Sequence, residues 1–304
     1  MPENKRIDEP TGTQTVGHEW DGIEELNTPL PRWWLLTFYA TIVWALAYVI
    51  LFPAIPFLHS ASQGWLNWSS RDDLQAQVAA EQRRRAPMLA SIAAAPLASL
   101  VIDTPLRPMA IEGGRAAFKA NCIQCHGTGA AGSKGYPNLN DDDWLWGGDI
   151  AAIHRTITDG VRNPDHAATR QSQMPAFEGA LSSDEIAALV AHMRTISHQR
   201  NADGLSAKGA TLFAANCAFC HGSNGTGGRQ VGAPNLTDGI WLYGGDPETL
   251  TQTIRFSRQG VMPRWGDKLD PATIKMLSAY VYSLGGGEVE LAVPTAPGTG
   301  NVKR

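Results

Sequence analysis

The hydrophobic pattern has one dominant feature, an unbroken run without a charged side chain from Trp33 to Phe52. At 1.5 Å per residue such a run spans about 30 Å as a helix, the thickness of a bilayer core. A cleaved signal peptide would have a short basic leader and a shorter apolar segment, whereas the leader here, residues 1–31, is long and carries several acidic residues. The sequence therefore predicts an uncleaved transmembrane anchor, residues 32–58, with Arg32 and two tryptophans at one membrane interface.

Apolar residues at spacings of three and four predict two amphipathic helices further along the chain. The first runs from about Ser183 to Ile196 and the second from about Pro271 to Leu284. Ser182 or Ser183, ahead of two acidic residues, is a candidate N-cap for the first helix. A more polar helix is predicted from Ser70 to about Arg85, followed by an Ala/Pro-rich linker to Pro108. The pattern therefore favours a mainly α fold.

The candidate chemistry lies in two copies of the motif Cys-x-x-Cys-His. The copies consist of Cys122, Cys125 and His126, and of Cys217, Cys220 and His221. This motif is the attachment sequence for c-type haem, in which the thiols bond to the porphyrin and the imidazole binds the iron. A single helical turn would direct both sulfurs to one porphyrin edge. Because these motifs use all 4 cysteines of the chain, the sequence predicts two covalently bound haem c groups.

Three other uses of paired cysteines fit this sequence less well. A structural zinc site usually separates its Cys pairs by about 15–20 residues, whereas a far longer segment separates Cys125 from Cys217. A thioredoxin-like pair belongs to a βαβ unit and needs no following histidine. Structural disulfides do not explain a histidine after both pairs, so covalent haem is the preferred interpretation.

The sequence around the two motifs is also repeated at a nearly constant offset. Residues 114–122 and 209–217 each end at the first cysteine of a motif. Residues 137–139 and 234–236 both read Pro-Asn-Leu, and residues 144–149 and 241–246 both contain Trp-Leu and Gly-Gly-Asp. Two copies indicate a duplicated small domain, because a solenoid needs more repeats. The predicted architecture is one N-terminal transmembrane helix followed by two tandem class I cytochrome c domains.

The repeat also sets the predicted domain boundaries beyond the anchor. Residues 59–108 are a linker that contains a helix, residues 109–200 the first cytochrome c domain, and residues 201–285 the second. Residues 286–304 are rich in Gly and Pro and are predicted to form a disordered tail.

Each repeat unit offers a methionine as the sixth iron ligand. Met174 and Met262 both precede proline in polar or Gly-rich surroundings, and a thioether ligand raises the potential of a haem. Met193 and Met276 fall within helical patterns and are expected in the core. The simplest pairing keeps each methionine with the histidine of its own unit. The spacing equally permits an exchange, with Met262 on the first haem and Met174 on the second.

The remaining histidines compete poorly as ligands. His154, His166, His192 and His198 have no histidine at the corresponding position of the other unit, so surface or structural roles are expected for all four.

Composition adds little to this picture. The chain has 304 residues, 43% of them hydrophobic, and a formal net charge of −4, which gives no sign of nucleic-acid binding. The acidic run Asp141–Asp143 is expected to be a solvated loop.

Residues 21–34, ahead of the apolar run, resemble the entry sequence of CcoP/FixP, the dihaem subunit III of cbb3-type cytochrome c oxidase. Residues 135–139 and 144–149 resemble segments of the same family, and the resemblance covers roughly residues 18–285. It implies a subunit that transfers electrons and catalyses nothing else by itself, within a proton-pumping respiratory oxidase. The implied partners are the haem–copper catalytic subunit and a membrane-bound monohaem cytochrome c. A soluble cytochrome c or the bc1 complex would be the electron donor.

The resemblance also assigns roles to the candidate residues. The four cysteines attach haem, His126 and His221 are the proximal ligands, and Met174 and Met262 match the distal methionines, with the crossed pairing implied by the family.

Attachment of haem to this motif takes place outside the cytoplasm in bacteria. We therefore expect a single-pass protein of the cell inner membrane with its haem domains in the periplasm and residues 1–31 in the cytoplasm, although Arg83–Arg85 runs mildly against the positive-inside tendency. Some family members have two N-terminal spans, and this chain has room for one.

Two other functional classes share part of this pattern. A membrane-tethered dihaem cytochrome c that serves another periplasmic reductase would carry the same haems and anchor, but it would not need the acidic, Pro-rich segment before Trp33. A dihaem peroxidase needs one iron with an open or displaceable position, whereas both units here offer a Met-Pro pair. Electron transfer within the oxidase is therefore the leading interpretation.

Overall fold

The computed structural model describes residues 5–289, which divide after Arg84 into two compact units. In the first unit, strands β1 (Thr15–Trp20) and β2 (Ile23–Leu26) form an antiparallel hairpin. The hairpin was not predicted, although its turn is Asp21-Gly22, a dipeptide that favours tight hairpins because both residues adopt positive φ. Helix α1 (Arg32–Leu51) follows the hairpin.

Helix α1 matches the predicted apolar run. It is 20 residues long, and no side chain in it is buried by the described part of the chain. Among residues 5–289 it is the one helix long and apolar enough to cross a membrane. Helix α2 begins at Ser70 in the first unit and ends at Ala94 in the second. It is longer than predicted because the Ala-rich segment after Pro87 favours helix and buries Ile92.

The second unit is built from short helices around two haem-attachment motifs. After a 3₁₀ turn, its helices are α3 (Arg107–Asn121), α4 (Ile123–His126), α5 (Ile150–Asp159), α6 (Ser183–Ile196), α7 (Gly204–Asn216), α8 (Ala218–His221), α9 (Pro247–Phe256) and α10 (Pro271–Tyr282). The predicted N-cap of α6 is Ser182, whose hydroxyl accepts from the Glu185 amide while the Glu185 carboxylate accepts from the Ser182 amide.

The two closing helices do not pack within the repeat units that contain them in sequence. Helix α10, from the second repeat, packs against α3 and α5 of the first. Helix α6, from the first repeat, packs against α7 and α9 of the second. The boundaries at residues 109–200 and 201–285 thus describe the sequence repeat, whereas the packing forms two groups that combine segments of both copies. We call α3, α4, α5 and α10 the first packing group and α6–α9 the second.

Each packing group has its own hydrophobic cluster. In the first group, Phe118 and the α5 isoleucines pack against α10 at Leu277 and Val281. In the second, Phe213 and the α9 residues pack against α6 at Leu189 and Met193. A third cluster joins the end of α2 to α3 and α10 and contains Met276. Met193 and Met276 are therefore core residues, as predicted.

A glycine permits each helix crossing. A Cβ at Gly114 on α3 would overlap the backbone oxygen of Met276 on α10, and a Cβ at Gly209 on α7 would overlap the backbone oxygen of Ala188 on α6. The two glycines occupy corresponding positions of the repeat. The missing side chain lets each helix pair approach closely, so the same sequence feature permits both crossings.

The end of the described chain is attached to the first packing group. The predicted disordered tail began at residue 286, but the Trp144 indole donates to the Gly286 carbonyl at 2.6 Å and the Glu288 amide donates to the Gly148 carbonyl at 2.9 Å. Residues 290–304 of the predicted tail lie outside the described residues.

The acidic run Asp141–Asp143 is only partly solvated. Burial is the main cause that raises the pKa of Asp143 from 3.8 to about 6, and the charges of Asp238 and the two neighbouring aspartates add to it, while Arg229 acts in the opposite direction. Asp238 comes from the second repeat unit, so carboxylates from both copies face each other here.

The first prediction concerns the helix crossings. Gly209→Ala should lower the free energy of unfolding by about 1–3 kcal/mol, because the added methyl group forces α6 away from α7. Gly204→Ala in the same helix is the matched control, since a Cβ there meets nothing within 4 Å, and it should be neutral or slightly stabilising. Denaturant unfolding of the full-length protein in detergent measures both, and equal effects of the two substitutions would contradict the packing.

The second prediction concerns pH. Because folding raises the pKa of Asp143 from 3.8 to about 6, the folded state binds that proton more tightly than the unfolded state does. The ionised Asp143 carboxylate therefore destabilises the folded state. This destabilisation is absent at pH values below the unfolded-state pKa and develops fully as the pH rises through the folded-state pKa. Asp143→Asn should therefore raise the free energy of unfolding by about 1 kcal/mol at neutral pH, after allowance for solvent screening of a half-buried group. The gain should nearly vanish near pH 4.

Urea titrations at both pH values test this expectation, with Asp142→Asn at an exposed neighbouring position as the control. A gain from Asp143→Asn of equal size at both pH values would rule out carboxylate titration as its source.

Candidate functional site

Each Cys-x-x-Cys-His motif lies on one turn of helix, as the spacing predicts. In the first, the His126 amide donates to the Cys122 carbonyl at 2.9 Å, and in the second, the His221 amide donates to the Cys217 carbonyl at 3.0 Å. Both turns end at a glycine with positive φ, so the chain leaves the helix directly after the histidine.

The two imidazoles are held in the same way. His126 Nδ1 lies 3.1 Å from the Pro137 carbonyl oxygen, and His221 Nδ1 lies 3.1 Å from the Pro234 carbonyl oxygen. Since a carbonyl only accepts hydrogen bonds, each Nδ1 carries the proton and each Nε2 keeps a free lone pair. Burial lowers the pKa of both imidazoles, although the carbonyl contact acts in the opposite direction. Neutral imidazoles oriented through one nitrogen are suited to bind a metal through the other.

No disulfide links the four cysteines. Burial, with a smaller effect of the second thiol of each pair, raises the pKa of Cys122 and of Cys217 to about 11. These are not activated thiolates of the kind found in nucleophilic or redox-active sites. Residues 5–289 contain no group of three or more His, Cys, Asp or Glu side chains that could hold a metal ion.

Met262 lies in the first packing group, although it follows the second motif in sequence. Its backbone pairs with Val161, directly after α5, through two hydrogen bonds of 3.0 Å. Its side chain packs on the cluster that contains Phe118, against which Cys122 also packs.

Met174 has the equivalent position in the second packing group. Its carbonyl accepts from the Ser257 hydroxyl, directly after α9, at 2.6 Å. Its side chain packs on the cluster that contains Phe213, against which Cys217 also packs. Each methionine is thus placed near the motif of the other repeat unit.

A cavity of about 610 Å³ opens beside the second motif. Its walls are mostly apolar, and among the residues that line it are Met174, Phe213, Cys217, Cys220, His221 and Trp241. One donor in this wall has no partner: the Trp241 Nε1 is buried and makes no hydrogen bond to the described residues. A large, flat, mainly apolar group with a few oxygen atoms would fit the thiols, the imidazole, the thioether and this donor.

The loops after the two motifs meet at the boundary between the packing groups. A Cβ at Gly135 would lie 3.2 Å from the Tyr243 ring, and a Cβ at Gly232 would overlap the Trp146 ring. These four residues form two corresponding pairs of the repeat, so each loop contacts the aromatic residue of the other copy. Pro137, which holds His126 through its carbonyl, also lines the cavity of the second motif.

The sequence interpretation did not identify the roles of the repeated aromatic residues. The Arg170 guanidinium lies 5.4 Å from the Trp146 ring centre, and the Arg258 guanidinium lies 5.4 Å from the Tyr243 ring centre. The recurrence of Trp-Leu-(Trp/Tyr)-Gly-Gly was the available signal.

The four other histidines of the repeat units have ordinary environments. His166 pairs with Asp159 at 3.2 Å, the His192 ring packs on Phe213, His154 is partly buried and His198 is exposed.

Comparisons with known proteins identify the family of the chain. Residues 12–59 match the family described as the N-terminal domain of cytochrome oxidase-cbb3, FixP. Residues 109–193 and 204–281 each match the family described as cytochrome c oxidase, cbb3-type, subunit III.

Curated relatives extend the match over most of the chain. A cbb3-type cytochrome c oxidase subunit CcoP from Cereibacter sphaeroides is 50% identical over 281 residues, which cover 92% of this chain and 97% of that relative. Subunits FixP from Bradyrhizobium sp. and Azorhizobium caulinodans are 49% and 50% identical, over 95% and 93% of this chain and 100% and 96% of those proteins. The chain therefore belongs to the CcoP/FixP family, subunit III of cbb3-type cytochrome c oxidases.

Proposed function

We propose that this protein is the dihaem electron-transfer subunit of a cbb3-type cytochrome c oxidase. The observation that carries this function is the geometry found twice in the second unit: a Cys-x-x-Cys-His turn, an imidazole held through Nδ1 by a proline carbonyl, and a methionine packed on the same cluster. Haem c supplies one-electron redox chemistry when it is bound. The surrounding chain fixes the ligands and excludes water from them.

We assign the first haem to Cys122 and Cys125, with His126 and Met262 as iron ligands. We assign the second to Cys217 and Cys220, with His221 and Met174. The packing of each methionine in the cluster of the other motif supports this crossed pairing over the pairing within each repeat unit. Neutral imidazole and thioether ligands favour the reduced iron, so both sites suit electron transfer at relatively high potential.

The boundary between the packing groups provides the internal route for electrons. Pro137 contacts His126 of the first site through its carbonyl and lines the cavity of the second site. The reciprocal contacts of Gly135 with Tyr243 and of Gly232 with Trp146 hold the two loops together. The short span of protein between the sites supports transfer from one haem to the other within this subunit.

Membership of the family supports the remaining assignments that we propose. Helix α1 anchors the protein in a membrane, and we place it as a single span in the bacterial inner membrane with the haem sites in the periplasm. The partners are the haem–copper catalytic subunit and the monohaem cytochrome c subunit, and the donor is a soluble cytochrome c or the bc1 complex. The subunit transfers electrons toward the catalytic subunit of a proton-pumping complex and performs no other catalysis.

The competing functions are less well supported. A cytochrome that serves a different periplasmic reductase does not account for the match of residues 12–59 to the cbb3-specific N-terminal family. A dihaem peroxidase requires an open or displaceable iron position, whereas a methionine packs beside each motif.

The third prediction tests the function and its haem content. Protein purified from its native membrane in mild detergent should contain two haems per chain by pyridine haemochrome assay and should elute with the other oxidase subunits. Cys122→Ala and Cys217→Ala should each remove one covalent haem, because each substitution destroys one of the two attachment motifs. One haem per wild-type chain would contradict two sites, and elution without oxidase subunits would favour the alternative reductase.

The fourth prediction tests the crossed ligands. Residues 171–260, exported to the periplasm, contain Met174, His221 and the whole second cluster. They should therefore bind one haem and show the far-red charge-transfer band of methionine-ligated ferric haem. Residues 201–285, the second sequence repeat, contain His221 with Met262 and should lack that band, because α10 has no partner helix there.

Met174→Ala in the fragment of residues 171–260 is the control and should abolish the band. The opposite pattern, with the band present in residues 201–285 and lost on Met262→Ala, would establish pairing within each repeat unit.

A further inference from the structure

The Arg162 side chain contacts both of the segments that carry the distal methionines. Its Nε donates to the Gly260 carbonyl at 2.7 Å, and its Nη1 donates to the Ser172 carbonyl at 3.1 Å. Gly260 lies two residues before Met262, and Ser172 lies two residues before Met174. Because the two methionines belong to different packing groups, one guanidinium joins the chain ahead of both.

Neither methionine segment is held by a helix or a strand of its own. Residues 171–177 and 257–261 lie outside these elements, so contacts with other parts of the chain set their position. The contacts of Val161 and of Ser257 each hold one methionine. Arg162 differs from both, because it holds the two segments together.

The backbone of Arg162 is left-handed. Its φ is 54°, a value that residues other than glycine seldom adopt and that persists where the surrounding contacts require it. The Arg162 amide donates to the Arg170 carbonyl at 2.8 Å, while the neighbouring Val161 pairs with the backbone of Met262. The chain therefore turns at Arg162 between two sets of hydrogen bonds, and the side chain leaves this turn toward both methionine segments.

The contacts of Arg162 lie in the wall of the cavity beside the second motif. Arg162, Ser172 and Gly260 all line this cavity together with Met174. The guanidinium is partly buried. Burial lowers the pKa of Arg162, while the Tyr243 side chain acts in the opposite direction. A hydrogen bond from a charged donor is stronger in such surroundings than in water, so both carbonyls are held firmly.

The repeat supplies this contact from its first copy. Helices α5 and α9 occupy corresponding positions, so Gln259 corresponds to Arg162 in the second copy. The Gln259 side chain is exposed. The connection from α5 to Met174 is also longer than that from α9 to Met262. The longer connection lets Arg162 bond to Ser172 in its own copy and to Gly260 in the other.

We propose that Arg162 is a positioning residue that holds both methionine segments and so directs Met174 and Met262 to their irons together. The inference rests on the proposed function, in which these methionines are the sixth ligands. Because a thioether favours ferrous over ferric iron, the ferric state depends most on a methionine that is held in place. Loss of the guanidinium should therefore weaken the bond to ferric iron at both sites.

The test uses the full-length ferric protein in detergent, with two haems per chain confirmed first and imidazole as the competing ligand. In Met174→Ala the remaining far-red charge-transfer band reports on Met262, and in Met262→Ala it reports on Met174. Adding Arg162→Asn should lower the imidazole concentration that removes half of the band by about tenfold in each background, the order expected for loss of one hydrogen bond from a charged donor. Asparagine tolerates a left-handed backbone and is too short to bridge the two carbonyls.

Two substitutions are matched controls. Arg155→Gln removes a cationic charge from the exposed side of α5, and Gln259→Asn changes the exposed position that corresponds to Arg162. Neither should change the imidazole concentration in either background. A role of Arg162 in stability alone would lower the free energy of unfolding without a shift in the imidazole titrations.

The outcomes separate this inference from the function beneath it. Fewer than two haems in the wild-type protein, or no far-red band, would overturn the proposed function. A shift in one background only, no shift in either, or an equal shift with a control would overturn the inference alone. Should Arg162→Asn lose a haem, Arg162→Gly gives the same comparison, because glycine adopts the left-handed backbone without strain.

Discussion

The structure of the haem-binding unit depends on two helix crossings that exchange segments between the repeat copies. Helix α10 approaches α3 where Gly114 has no side chain, and α6 approaches α7 where Gly209 has none. The segment directly before each closing helix lies in the same packing group as that helix. Because Met262 precedes α10 and Met174 precedes α6, the crossings decide which motif each methionine approaches. Ligand choice is thus a consequence of helix packing, and the iron bonds that we propose would reinforce contacts that hydrophobic burial has already formed.

Because of the exchange, the two packing groups differ in whether their helices are continuous in sequence. The second group comes from one continuous stretch, since α6 is followed directly by α7, α8 and α9. The first group joins α3, α4 and α5 to α10, and the whole second group lies between them in sequence. The first site is therefore complete only after α10 has been synthesised, whereas the second needs no distant segment. Contacts between distant segments form more slowly, so we expect the second group to fold first.

The elements that are set by local pattern were predictable from sequence, and the choice of partner helix was not. The apolar run, the Ser182 cap and both closing helices follow from periodicity and capping chemistry. Partner choice was open because α3 and α7 present the same Gly and Phe spacing, with Gly114 and Phe118 in one and Gly209 and Phe213 in the other. Either closing helix has a suitable apolar stripe for either partner. Only the lengths and directions of the connecting segments distinguish the two arrangements, and neither is visible as a sequence motif.

A duplicated sequence gives two sites of the same design, and a difference between them must come from features that occur once. The reciprocal contacts of Gly135 with Tyr243 and of Gly232 with Trp146 treat both copies alike. The segment after α10 does not, because its Gly286 carbonyl accepts from Trp144, whereas no described residue accepts from Trp241. An electron moves in one direction between two haems only if their potentials or their partners differ. The hydrogen bond between Trp144 and Gly286 is one structural difference of this kind.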